Sequence, residues 1–178
     1  NLLILGGSLG AQVFASLLPD AIAALPEQVR ARLSVTQQAR TDQHDAVASR
    51  YRALGINAEI ARFFDDVPAR MARADIIISR SGASSVAEIA AAGRASILIP
   101  FPSALDDHQR ANAEAAAAAG AATLINDEDL TAERLLAAVA TYATPAQRAA
   151  AARAATTLAH PDAAEVIAKK LLQLGGRG

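Results

Sequence analysis

The sequence predicts one α/β domain built on a doubly wound parallel sheet, and three observations predict it. Short apolar runs recur along the chain, such as LLIL at 2–5 and the isoleucine run opening 76–79. Between them lie longer segments with helical apolar spacing, several closed by a glycine. The runs are apolar throughout rather than alternating, so both faces of the sheet must be covered. Strands alternating with helices under that constraint form a parallel sheet, and right-handed crossovers leave essentially one architecture, which is Rossmann-like.

The elements follow in order. Residues 2–5 read as a strand and 11–25 as a helix before Pro26; 33–37 read as a strand and 41–54 as a helix closed by Gly55. Residues 58–61 form a short strand, followed by a helix near 67–74. The apolar strand 76–79 leads to a helix at 85–92 closed by Gly93, and strand 96–99 leads through a Pro-rich loop to a helix at 108–119 closed by Gly120. The last strand is 122–125, and helices follow at 131–141, 145–157 and 162–174. Residues 1–178 read as one domain with no internal linker or repeat. The chain opens directly on a strand and closes on GGRG, which reads as part of a longer protein.

Composition bounds the function. Of the 178 residues, 52% are hydrophobic and 20% charged, a globular balance rather than a disordered one. Seventeen basic and eighteen acidic side chains leave a formal charge of −1 with no basic stripe, so nothing points to nucleic acid. Without cysteine there is neither a disulfide framework nor a thiolate metal site.

Ligands of open α/β sheets bind beyond the carboxyl ends of the strands, at helix N-termini. The loops to read are therefore 6–10, 62–66, 80–84 and 100–107. In LLILGGSLGA, Gly6, Gly7 and Gly10 permit a sharp turn and close approach of a phosphate, and Ser8 adds a hydroxyl. The spacing serves a structural turn as well as a phosphate cradle. The second strand region, LSVTQQAR, ends without the acidic residue a dinucleotide fold uses to hold a ribose.

The stretch SRSGASSVAEIAAAG is more informative. Gly82 allows close backbone approach, and Ser84 or Ser85 is expected to cap the helix. Ser84 and Glu88 are four apart and share a face, so the carboxylate lies one turn behind a phosphate-binding terminus, suited to two vicinal hydroxyls. Arg80 can neutralise a diphosphate. The bland alternative is a cap, a surface Glu and a surface Arg. In PFPSALDDHQRANA, Asp106 or Asp107 is expected to cap the next helix, with His108 and Gln109 in its first turn suited to sugar hydroxyls. The pairs Asp65–Asp66 and Asp106–Asp107 lack the ligand variety of a dedicated metal site. Of Phe63 and Phe64, one ring is expected in the core and the other against a base. His44 and His160 read as surface residues.

Together, GGSLGA, RFFDDV, SRSGASSVAEIAAAG and PFPSALDDHQRANA resemble the MurG family, bacterial glycosyltransferases that add N-acetylglucosamine to lipid I to make lipid II for peptidoglycan. The likeness runs over nearly the whole chain. It implies the C-terminal, donor-binding half of a two-domain GT-B enzyme, with UDP-N-acetylglucosamine as ligand and no cofactor or obligatory metal. By resemblance, Ser8 contacts the diphosphate and the Phe64 main chain lies against uracil. Arg80, Ala83, Ser84 and Ser85 line the diphosphate and sugar, Glu88 accepts the ribose hydroxyls, and His108 and Gln109 reach the N-acetylglucosamine. Leu9 and His108 depart from the family, which often has Gln at the first position and in some members at the second. The resemblance implies inverting single displacement, with the general base, the lipid I site and the membrane contact on the absent N-terminal half. The full-length enzyme is then peripheral on the cytoplasmic face of the inner membrane, and this chain alone is inactive. The alternatives are the donor domain of another UDP-sugar transferase, such as a glycolipid synthase, and a non-catalytic nucleotide-binding domain.

Overall fold

A computed structural model describes residues 1–7, 12–102 and 107–175. Six parallel strands form one sheet: β1 (Leu2–Leu5), β2 (Ser34–Gln38), β3 (Asn57–Ala61), β4 (Ile76–Ser79), β5 (Ala95–Leu98) and β6 (Ala122–Leu124). Their spatial order is β3-β2-β1-β4-β5-β6. This is the doubly wound order, with the chain reversing its direction of travel across the sheet between β1 and β4. Leu3 pairs in register with Ile77 of β4 on one side and Thr36 of β2 on the other.

The helices among the described residues are α1 (Gln12–Ala23), α2 (Glu27–Arg30), α3 (His44–Ala53), α4 (Val67–Arg73), α5 (Ala83–Ala92), α6 (His108–Ala118), α7 (Ala132–Ala140), α8 (Pro145–Thr157) and α9 (Ala163–Gly175). The sequence reading locates each of them to within about three residues except α2, a single turn after Pro26 that is too short to carry a periodic signal. Gly55, Gly93 and Gly120 follow the ends of α3, α5 and α6 with φ of 66°, 59° and 75°. Left-handed backbone at these points stops each helix and is open to glycine without strain.

Alternation along β1 divides the core. Leu2 and Ile4 face one cluster with Phe14 and Leu18 of α1, Val47 and Tyr51 of α3, and Leu135 of α7. Leu3 and Leu5 face the other, with Met71 of α4, Ile89 of α5 and Ala113 and Ala116 of α6. Both sides of the sheet are therefore dry around β1, β4 and β5, whereas the edge strand β3 leaves Asn57 and Glu59 exposed. The largest polar side chain sealed in is Gln37, which is fully buried and accepts from the Tyr51 hydroxyl at 2.7 Å. Burial pushes the Tyr51 phenol well up, so it stays a donor.

α9 differs from the rest. Val166, Ile167, Leu171, Leu172 and Leu174 stand 52–77% exposed along it, so its apolar stripe is not buried in this chain. No helix among the described residues is long and apolar enough to cross a membrane.

Candidate functional site

The reversal of strand order opens a crevice at the carboxyl ends of β1 and β4. From β1 come Gly6 and Gly7, the latter at φ 74°, a left-handed turn that glycine reaches without strain. Ser8, Leu9 and Gly10 lie outside the described residues. From β4 come Arg80, Ser81 and Gly82, and then α5.

The start of α5 corrects the expected cap. The helix begins at Ala83 with Gly82 as N-cap, and no side chain caps it. Ser84 and Ser85 stand inside the first turn, where a hydroxyl cannot reach back over its own terminus. The first helical bond runs from the Val86 N–H to the Gly82 carbonyl at 3.0 Å. The amides of Ala83, Ser84 and Ser85 therefore precede the helical ladder and face the crevice, with the positive end of the helix dipole behind them. Ala83 and Ser84 are exposed and Ser85 half-buried. Glu88, one turn behind Ser84 on the same face, is exposed. Such a terminus can bind an anion while Glu88 accepts from neighbouring hydroxyls.

Arg80 is not the surface cation of the bland reading. Its side chain is only 12% exposed. Nη1 donates to the carbonyls of Ile99 at 3.2 Å and Pro100 at 3.0 Å, and to the Asp127 carboxylate. Its Cζ lies 5.2 Å from the Phe14 ring centroid and 5.4 Å from that of Phe101. Next to it, the buried Ser81 donates its hydroxyl to the Gln109 carbonyl at 2.8 Å, and Asn112 donates to the Ser81 carbonyl at 3.0 Å. Gln109 Oε1 accepts from the Phe101 N–H at 3.1 Å. These bonds join the ends of β4 and β5 to the first turn of α6.

His108 and Gln109 do occupy that first turn, His108 exposed and Gln109 half-buried. Part of Gln109's hydrogen-bonding capacity is spent on the loop. The expected cap of α6 fails in chemistry though not in position. Asp107 is the N-cap residue, but at φ 54° its carboxylate caps nothing and pairs with Arg110 at 3.0 Å instead. Asp106 lies outside the described residues.

The aromatic pair also needs correcting, because neither ring is in the core. Phe63 is 61% exposed, with the Arg62 guanidinium 5.0 Å from its centroid. Phe64 is half-buried under Arg70 at 4.2 Å. β3 is an edge strand, so the loop beyond it has no neighbouring strand to bury a ring against. Arg70 also grips Glu59 at 2.6 and 2.9 Å and Asp66 at 2.5 Å. That hydrogen bond holds the Asp66 carboxyl below its ordinary range. The loop still leads into α4, which packs beside α5, so Phe64 lies at the same end of the sheet as the α5 terminus.

Sequence reasoning missed Ser81, Asn112 and Asp127. Asn112 lies inside the quoted DHQRANA run and Ser81 inside SRSGASS, so a motif marks them without revealing their partners. Asp127 carried no signal, being one acid of the NDED run, which folds as a single 3-10 turn over Asp127–Asp129.

Fold and site together define an open, doubly wound α/β domain with an uncapped helix terminus at its switch point. Residues 1–167 match the glycosyltransferase family 28 C-terminal domain, and the chain belongs to that family. It is 48% identical over its whole length to the UDP-N-acetylglucosamine--N-acetylmuramyl-(pentapeptide) pyrophosphoryl-undecaprenol N-acetylglucosamine transferase of Rhodospirillum centenum, covering 47% of that protein. With the protein of the same name from Methylobacterium radiotolerans it shares 48% identity over 99% of its length, covering 48% of the relative. The crystal structure of Acinetobacter baumannii MurG superposes with a TM-score of 0.88 at 31% identity, covering 97% of this chain and 52% of that one. The chain thus spans about half the length of the curated relatives it matches.

Proposed function

We propose that the chain is the donor-binding half of an inverting glycosyltransferase. That enzyme moves N-acetylglucosamine from UDP-N-acetylglucosamine to lipid I, forming lipid II. One observation carries the reading: the uncapped start of α5 at the β1/β4 crevice, with Glu88 one turn behind it. Family membership and the names of the relatives support it.

In this reading the Ala83, Ser84 and Ser85 amides receive the diphosphate, together with Ser8 and the Gly6, Gly7 and Gly10 phosphate loop. Glu88 takes the two ribose hydroxyls, and the Phe64 main chain meets the uracil edge. His108 and Gln109 meet the sugar. As UDP leaves, charge grows on the diphosphate, where the helix terminus and the guanidinium of Arg80 stabilise it. The base that activates the muramyl hydroxyl, the lipid I site and the membrane contact belong to the N-terminal half. The whole enzyme works at the cytoplasmic face of the bacterial inner membrane.

Calorimetric titration of the chain with UDP, UDP-N-acetylglucosamine, UDP-glucose and NAD tests this. Binding of UDP and UDP-N-acetylglucosamine is expected, without NAD binding and without lipid II from lipid I and labelled donor. A preference for UDP-glucose would favour another UDP-sugar transferase. NAD binding alone would replace the reading with a dinucleotide domain.

A further inference from the structure

We propose that Asp127 is a positioning residue of the donor site, acting through Arg80. The proposal rests on the donor-binding reading above. Arg80 leaves the end of β4, beside the crevice, whereas Asp127 follows β6, two strands away. Strands lie about 4.8 Å apart, so β6 runs roughly 10 Å from β4, whose loop builds the α5 terminus. The carboxylate reaches the site by way of the guanidinium.

The surroundings of Arg80 make that link matter. The cation is largely buried against the faces of Phe14, itself 1% exposed, and Phe101. Asp127 is the carboxylate that pairs with it among the described residues. A buried guanidinium without a counter-charge is costly and moves towards water or another anion. With Asp127 in place, its hydrogen bonds to described residues all leave from Nη1, towards three acceptors contributed by the ends of β5 and β6. Three acceptors share the two N–H bonds of that nitrogen and anchor this end of the guanidinium. They also hold the backbone at Arg80, whose neighbour Ser81 is held in turn by Asn112 and by the Gln109 carbonyl. The clamp thus sets the crest of the loop from which the Ala83, Ser84 and Ser85 amides project. Its effect should fall on the phosphate part of the donor and not on the nucleoside, which the Phe64 loop and Glu88 address.

The test compares UDP with uridine on Asp127→Ala, Asp127→Asn and Asp127→Glu, with affinities from calorimetry or NMR titration. Asp127→Ala is expected to weaken UDP binding about tenfold, the size of one charge-assisted hydrogen bond lost, with uridine affinity within about twofold. Asp127→Glu should recover part of the loss. Asp127→Asn, which keeps an acceptor but not the charge and preserves the shape of the site, should fall between the two. In a thermodynamic cycle, Arg80→Lys combined with Asp127→Ala should lose no more than Arg80→Lys alone, because both act through one contact. Equal losses for uridine and UDP, or a full additive loss in the double variant, would overturn the positioning role. UDP binding by the unaltered chain that no Asp127 variant changes would remove this proposal alone. No UDP binding by the unaltered chain would remove the donor reading and this proposal with it.

Discussion

Glu88 is exposed and forms no hydrogen bond or ion pair with a described residue, so the fold does not depend on it. Glu88→Ala should therefore leave the melting temperature almost unchanged while weakening UDP-sugar binding by roughly 1.5–3 kcal/mol, the range for hydrogen bonds to a charged acceptor. A melt lowered as much as the affinity would mark Glu88 as structural. His44 makes the opposite case, a side chain with a structural partner on each nitrogen. Nδ1 meets the Asp45 carboxylate at 2.8 Å and Nε2 the Ile60 carbonyl at 3.0 Å. Both partners accept, so only the imidazolium satisfies them, and the hydrogen bond to Asp45 raises the His44 pKa above 6.5. A folded pKa above the unfolded one gives stabilisation that is complete below pH 6.5 and lost as pH rises through the raised value. Melting curves of wild type and His44→Asn should thus differ most below pH 6.5 and draw together as pH rises through the raised pKa. A constant difference across that range would refute the protonation link.

At the scale of elements, the α5–β5 connection is the tightest constraint. Gly93 ends α5 at φ 59°, and a Cβ there would lie 2.8 Å from Cγ2 of Thr156 on α8. Gly93→Ala combines left-handed backbone, costing about 1–2 kcal/mol for a residue with a Cβ, with that clash. Denaturant melts should show a loss of at least that size. Adding Thr156→Ser removes the methyl and keeps a hydroxyl able to donate to the Arg153 carbonyl, so it should recover the steric share only. No recovery at all would mean that backbone conformation accounts for the whole cost. The same glycine fixes how α5 returns to the sheet and how closely α8 approaches it.

For the molecule as a whole, the two core clusters lie on the two sheet faces and involve α1 and α3 to α8, whereas α9 is exposed from end to end. A chain ending at Asp162 should consequently keep its stability to within about 0.5 kcal/mol, as changes at exposed positions usually do. Its UDP affinity should not change, because every residue assigned to the donor precedes the cut. A large fall in melting temperature would show that α9 packs on the domain in solution.

The sequence by itself determined the architecture. Short apolar-rich runs, helical spacing between them and glycines after α3, α5 and α6 are local signals, and they sufficed for six strands and for every described helix longer than one turn. It also identified the loops at the carboxyl ends, since a parallel sheet puts every strand-to-helix turn on one side. Tertiary structure alone decided what the side chains in those loops do. Whether Ser84 caps α5 depends on where Gly82 turns, and whether a Phe is buried depends on β3 being an edge. The Arg80–Asp127 pair joins residues 47 apart in the chain, and no propensity or period carries that information. Hydrophobic pattern is written residue by residue because burial repeats with the element's own geometry. Polar partnership is set by distances across the sheet, which exist only once the strands have been ordered.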